Sequence, residues 1–251
     1  MPTFNAIIFD LGRTLIYFDG HWKQVEAQAD QALADKLEEL GFEIEQNDFL
    51  SRFRDRVEQY YQAREEDYLE HTTQVVLKEI LAESGYPDVS QQLLRDALAA
   101  FYNVSQSHWK TEHDAHATLD TLKARGFRMG MISNAADDAD VQALVDQARL
   151  RPYFDKILTS ACVGFRKPDE RIFNKLLGHW RLPASSVAMV GDMLNADILG
   201  ARNAGIFSVW IKRRADPETS RRDLQYIQPD AVIDTLSELP NLLYELSEDG
   251  K

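Results

Sequence analysis

Residues 4–14 read Phe4-Asn5-Ala6-Ile7-Ile8-Phe9-Asp10-Leu11-Gly12-Arg13-Thr14, and this stretch decides the fold. An apolar run of strand length, 4–9, ends abruptly in a carboxylate and a glycine-containing turn. A strand this uniformly apolar is buried on both faces, as in a parallel sheet covered by helices. Open parallel sheets bind ligands at the carboxyl ends of their strands. Asp10 therefore stands where a nucleophile or a metal ligand would.

Runs of the same kind recur at 128–132, 156–160, 187–190, 206–211 and 231–233, with helical patterns between most of them. Strands alternating with helices predict an α/β fold with a doubly wound parallel sheet. Helix ends are legible as well: Gly126 and Gly205 each follow a helical pattern and suit a C-terminal cap.

The alternation fails between His21 and Gln106. Four helical patterns lie there, at roughly 21–40, 46–69, 71–84 and 90–105, and no strand of comparable strength. Gly41, the Gly85-Tyr86-Pro87-Asp88 turn and the N-cap candidates Asn47 and Ser90 punctuate them. A block this long is too large for a crossover helix and reads as an inserted all-helical domain. The expected division is a core of 1–15 and 107–251 and an insert of 16–106, with Trp22 and Trp109 packing its hinges. The tail Glu248-Asp249-Gly250-Lys251 reads as a frayed end.

Composition narrows the function. The chain has 251 residues, 44% hydrophobic and 27% charged, with a net charge of −13. That charge opposes binding to nucleic acid or an anionic membrane, because phosphate backbones need a basic footprint. The single cysteine, Cys162, excludes an internal disulfide framework, fits a reducing compartment and is expected as an inert core residue. Met1-Pro2-Thr3 opens without a basic, apolar leader, and no apolar stretch reaches membrane length. A cytoplasmic protein with no nucleic-acid or membrane partner is expected; nothing here fixes its oligomeric state.

In a parallel sheet, four strand ends would meet at one edge. They bring Asp10, Ser133-Asn134, the loop Gly164-Phe165-Arg166-Lys167-Pro168-Asp169, and Gly191-Asp192 with Asp197 five residues on. Three carboxylates, a hydroxyl and an ammonium in one cleft suit phosphoryl chemistry. Hard Mg²⁺ takes oxygen ligands, cationic and hydroxyl groups steady the phosphoryl oxygens, and a carboxylate can attack phosphorus.

Here the chain resembles the haloacid dehalogenase (HAD) superfamily, in the branch with a helical cap inserted after the first strand. The matching pieces are Phe9-Asp10-Leu11-Gly12-Arg13-Thr14-Leu15, Ile132-Ser133-Asn134, Arg166-Lys167-Pro168-Asp169 and Gly191-Asp192-Met193-Leu194-Asn195-Ala196-Asp197, continuing to Gly205. The resemblance implies a Rossmann-like core and Mg²⁺-dependent hydrolysis of a small phosphomonoester through an aspartyl-phosphate on Asp10. It makes Asp10, the carbonyl of Gly12, Asp192 and Asp197 the metal site, and Asp10, Ser133 and Lys167 the catalytic set. Thr14 and Asn134 would serve the substrate side, joined from the cap by Arg54 and Arg64.

One position departs from the pattern. Family phosphatases carry a second Asp where this chain has Gly12, and that Asp protonates the leaving group. Arg13 cannot replace it, because guanidinium stays protonated. Loss of such assistance costs about 10²–10⁴-fold, less for an acyl or aryl phosphate whose leaving group needs no proton. Three functions stay open: a phosphatase with another acid, Asp19 and His21 being nearest in sequence; a weak or silent binding protein; or a 2-haloacid dehalogenase, which needs no metal.

Plainer readings exist for several residues. Asp137-Asp138-Ala139-Asp140 reads as the acidic first turn of a helix rather than a second metal site. Tyr60, Arg64 and Tyr68 share one helical stripe and suit packing or a solvated face. His71 and His108 lack partners for a metal site.

Overall fold

A computed structural model describes residues 4–248; the readings of residues 1–3 and of the tail 249–251 lie outside it. The chain opens with β1 (Ala6–Phe9) and a short β2 (Ile16–Phe18). Four helices follow, α1 (Trp22–Glu39), α2 (Gln46–Asp67), α3 (Thr73–Glu83) and α4 (Gln91–Gln106), and lead to β3 (Trp109–Thr111). Helices and strands then alternate as α5 (Ala115–Ala124), β4 (Arg128–Ser133), α6 (Asp138–Gln147), β5 (Lys156–Thr159) and the single turn α7 (Ser160–Val163). The chain ends with α8 (Glu170–Trp180), β6 (Val187–Gly191), α9 (Leu199–Asn203), β7 (Phe207–Ile211), α10 (Pro217–Asp223), β8 (Ala231–Ile233) and α11 (Leu239–Glu248).

Six strands form one parallel sheet in the order β5-β4-β1-β6-β7-β8. From the central β1 the later strands lie to both sides, so the winding reverses there and opens a crevice at its carboxyl end. Phe9 is in register with Met131 and Val190. Asp10, Ser133 and Asp192 thus emerge side by side. Alternation along β1 splits the core: Ile7 and Phe9 pack under α5, α6 and α11, while Ala6 and Ile8 pack against α8 and α9.

The four helices α1–α4 bury a separate core, built on Leu33, Leu37, Phe49, Phe53, Leu77 and Leu98. The hydroxyls of Thr72 and Ser90 cap α3 and α4 by accepting from the amides of Val75 and Leu93. Helix α2 is capped by Glu45 rather than Asn47; the longer carboxylate reaches two free amides of the first turn. The chain enters and leaves this bundle through an antiparallel ribbon that pairs Phe18 with Trp109. A second contact lies between α2 and α3. Leu69 bridges to Phe165, and the amides of Glu70 and Arg166 donate to the carbonyls of Gly164 and Tyr68 at 3.1 and 3.0 Å.

The ribbon β2/β3 has no signature in the sequence, because three-residue strands about ninety positions apart carry no periodic signal. Cys162 is exposed rather than in the core. It lies two positions, about 200° of helical turn, from the buried Ser160 of α7. Among the described residues no helix is long and apolar enough to cross a membrane.

Candidate active site

The end of β1 delivers Asp10 into a buried charged cluster. Lys167 Nζ donates to Asp10 Oδ1 at 2.6 Å and to the Ile132 carbonyl at 2.8 Å, and lies 2.6 Å from Asp197 Oδ1. Asn134, just past β4, sets its position. The Asn134 amide accepts from the Lys167 backbone N–H at 2.8 Å and donates to the Lys167 carbonyl at 2.9 Å. Burial alone would lower the Lys167 pKa, but Asp10 and Asp197 outweigh it and hold the ammonium at about 12. Burial pushes Asp10 up to about 6 against the pull of Lys167. The Ser133 hydroxyl-bearing side chain is buried beside them and borders the same cavity.

Asp192 and Asp197 come from the turn after β6. One π-helical turn, Leu194–Ile198, folds Asp197 back so that its Oδ2 accepts from the Met193 N–H at 2.9 Å. Gly191 is required at this point: a Cβ there would stand 2.3 Å from the Asp197 carboxyl. Trp210 Nε1 anchors the turn by donating to the Asp192 carbonyl at 2.9 Å.

One oxygen each from Asp10, Asp192 and Asp197 can lie within 4.8 Å of the others. Asp192 Oδ2 is buried with no hydrogen-bond donor, and Arg13 Nε stands 3.3 Å away. Burial, then Asp10 and Asp197, push the Asp192 carboxyl up to about 8. Three crowded carboxylates face one ammonium and one half-exposed guanidinium. Such a hard, oxygen-only donor set with an orphaned carboxylate oxygen fits a divalent cation of the Mg²⁺ kind. Gly12, expected to offer a carbonyl, borders the same cavity.

That cavity has a volume of about 320 Å³. Its floor is Asp10, Ser133, Lys167, Asp192 and Asp197, and its walls include Tyr61, Tyr102, Trp109, Asp137 and Asp140. A Cβ built on Gly12 would touch the Trp109 indole at 3.7 Å, so an indole lies beside the position of the absent second Asp. Neither Asp19 nor His21 borders the cavity.

The other expected site residues are placed differently. Thr14 is fully buried, its hydroxyl has no hydrogen-bond partner, and it does not border the cavity. Arg54 is on α2 and bonds Asp30, Nε to Oδ2 at 2.5 Å. Arg64 stacks on Tyr61 at 3.7 Å and lies 3.6 Å from Glu70. Neither arginine borders the cavity over Asp10. Asp137 caps α6 by accepting from the Asp140 N–H at 2.9 Å, as an acidic first turn should. Asp140 also borders the cavity, where burial pushes its carboxyl up to about 6. His71 stacks on Tyr60 and His108 packs against Phe18.

Sequence reasoning missed Tyr102 and Asp140 as walls and Trp109 as the cover of Gly12. All three come from the helices or linkers, and only the folded packing brings them over Asp10. A second acidic group, Glu112 and Asp114, is taken up by Arg213 and Arg214.

The family model of haloacid dehalogenase-like hydrolases matches residues 4–205. The chain is 25% identical over 243 residues to the glyceraldehyde 3-phosphate phosphatase of Methanothermobacter thermautotrophicus, covering 95% of this chain and 99% of that one. It is 28% identical over 255 residues to the ribulose-1,5-bisphosphate 5-phosphatase of Halopiger xanaduensis, covering 95% and 99%. Among solved structures, the 2-haloacid dehalogenase of Pseudomonas syringae pv. Tomato DC3000 superposes with a TM-score of 0.69 at 27% identity, over 98% of this chain and all of that one.

Proposed function

The chain belongs to the haloacid dehalogenase-like hydrolases, and from that premise we propose that it is a Mg²⁺-dependent phosphomonoesterase with Asp10 as nucleophile. The carrying observation is the orphaned Asp192 oxygen beside the Asp10–Lys167–Asp197 cluster. A phosphoryl group brings charge that a lysine alone balances poorly. Mg²⁺ held by Asp10, Asp192, Asp197 and the Gly12 carbonyl would neutralise phosphoryl oxygens.

The chain's own groups divide the remaining work. Lys167 and Ser133 hold the phosphoryl oxygens, and Asn134 fixes Lys167. An Asp10 carboxylate oxygen forms a bond to phosphorus as the ester P–O bond breaks, and the leaving oxygen departs with the electron pair. Water then attacks phosphorus of the aspartyl-phosphate, releasing phosphate and restoring the Asp10 carboxylate. The water's proton balances the departed oxygen, so the sum is ester plus water giving alcohol plus phosphate. With no side chain at Gly12, leaving groups of low pKa are favoured. Residues 16–106 act as a cap that excludes water and sets specificity, carried on the β2/β3 ribbon.

The test is phosphate release from a panel that includes acetyl phosphate and phenyl phosphate, with Mg²⁺, with EDTA, and with Asp10→Asn. Turnover lost in both controls supports the reading. No turnover above the variant would leave a binding protein on this fold.

A second reading rests on Gly12 and on the Pseudomonas syringae structure: hydrolysis of a 2-haloacid. Asp192 and Asp197 argue against it, since they would repel the substrate's carboxylate. Halide release from 2-chloropropionate in EDTA would favour it.

A further inference from the structure

A second cavity, of about 420 Å³, lies within the helical insert between α1, α2 and α4. Tyr61, Tyr102, Trp109 and Asp140 border both it and the cavity over Asp10, so the two spaces adjoin at these four side chains, hereafter the neck. Beyond the neck the lining is aromatic and aliphatic: Trp22, Phe53, Phe101, Val25, Ala29 and Val57. Trp22 and Tyr61 are 53% and 41% exposed, which leaves ring surface accessible at the rim of the cavity.

Charge around this cavity is one-sided. Glu26, Asp30, Asp55, Glu58 and Asp140 border it, against the single cation Arg54, which Asp30 already engages. A second phosphate or a carboxylate would meet acids and no available cation there. An aromatic body would meet rings suited to offset and edge-to-face packing.

We propose that this cavity holds the leaving group of the substrate, and that the substrate is an aromatic phosphomonoester with no second anionic group. The inference rests on the phosphomonoesterase reading and names its substrate class. The ring system passes the neck between Trp109 and Tyr61, and the phosphoryl group stays on the Asp10 floor. As the Asp10–phosphorus bond forms, the aryl oxygen leaves with the electron pair of the broken bond. A phenol-type oxygen is acidic enough to depart without the side chain that Gly12 lacks. A three-carbon phosphate would leave most of the second cavity unfilled, whereas spaces of about 300–1,000 Å³ suit larger organic ligands.

The test uses the full chain with Mg²⁺ and two esters of similar leaving-group acidity, phenyl phosphate and 1-naphthyl phosphate. The expected kcat/KM is at least tenfold higher for the naphthyl ester, and several-fold lower for 4-carboxyphenyl phosphate than for the phenyl ester. Val57→Trp, which fills the cavity, is expected to cut the naphthyl-to-phenyl ratio at least tenfold, and Ala29→Leu to do so in part should Val57→Trp fail to fold. A ratio near one in the wild type, or a ratio unmoved by both variants, would overturn the proposal. Calorimetric titration with 1-naphthylmethylphosphonate separates the two readings. If no phosphoester turns over, the phosphomonoesterase reading fails. The titration then still judges the cavity, by whether Val57→Trp weakens binding at least tenfold. Equal binding by both proteins would overturn it.

Discussion

The sheet edge and the helical insert handle charge in opposite ways. At the edge, Lys167 is 2% exposed and is wedged between Asp10 and Asp197, with Asp192 alongside. Those charges are few, buried and aimed by backbone turns. In the insert, Arg52, Arg54, Arg56 and Arg64 are each paired with an acid, while the cavity that Arg54 borders is lined by rings and acids. On the proposed function, the edge carries the reaction and the insert the recognition. Changes at the edge should cost turnover and stability together. Changes in the insert should alter which ester is preferred.

The largest effect is expected at the nucleophile. Asp10→Asn should lower kcat/KM roughly 10⁴-fold or more, while Arg54→Gln should change KM for phenyl phosphate by less than about threefold, because Arg54 is committed to Asp30. Steady-state kinetics on the two variants would break the comparison if Arg54→Gln proved the more damaging.

Stability follows the same division. Lys167→Met leaves three buried carboxylates without their ammonium and should cost about 3–5 kcal/mol in urea unfolding. Glu70→Gln should cost about 2–4 kcal/mol. The Glu70 side chain is fully buried where the insert meets the core, accepting from Ser160 Oγ at 2.6 Å with Arg166 at 3.2 Å. A loss below about 1 kcal/mol would mean that this contact does little to hold the two parts together.

Asp140 gives a pH signature at the neck between them. Burial raises its pKa from 3.8 to about 6. The folded state therefore binds more protons than the unfolded state between about 4 and 6, and stability falls as pH rises through that window and stays low above it. Asp140→Asn keeps the oxygen that accepts from Gln106, and should raise stability at neutral pH by about 1–3 kcal/mol. The gain should vanish below about pH 4. A gain independent of pH would show that Asp140 carries no buried charge. The smallest effect belongs to Arg56→Gln, whose solvent-screened pairs with Glu79 and Glu83 should leave the urea unfolding midpoint essentially unchanged.

The same contrast explains what could be read from the sequence. All six strands of the parallel sheet were legible, because strands buried on both faces are short apolar runs. Asp10, Lys167, Asp192 and Asp197 were legible for a related reason: each follows a strand end or sits in a short loop beside one, and sheet topology carries them to one edge. The insert's four helices announced themselves through apolar periodicity and caps such as Ser90. Its function did not. Arg54 and Arg64 looked like anion readers in sequence, yet Asp30 and Glu70, 24 and 6 positions away, absorb them. Trp109 read as hinge packing, as its contact with Phe18 in the ribbon bears out, and its indole also lies over Gly12. Asp140 looked like part of an acidic first turn, and it is also the wall of two cavities. Each of these depends on pairing across the fold, which local pattern does not encode.

In the proposed reaction Asp10 receives the phosphoryl group. The most direct measurement is acid quench during turnover of acetyl phosphate with Mg²⁺, followed by peptide mass mapping. A phosphoryl group on the peptide that contains Asp10, present in the wild type and absent from Asp10→Asn, is the predicted result. Turnover with no adduct there, or with the adduct on another residue, would contradict the assignment of Asp10 as nucleophile.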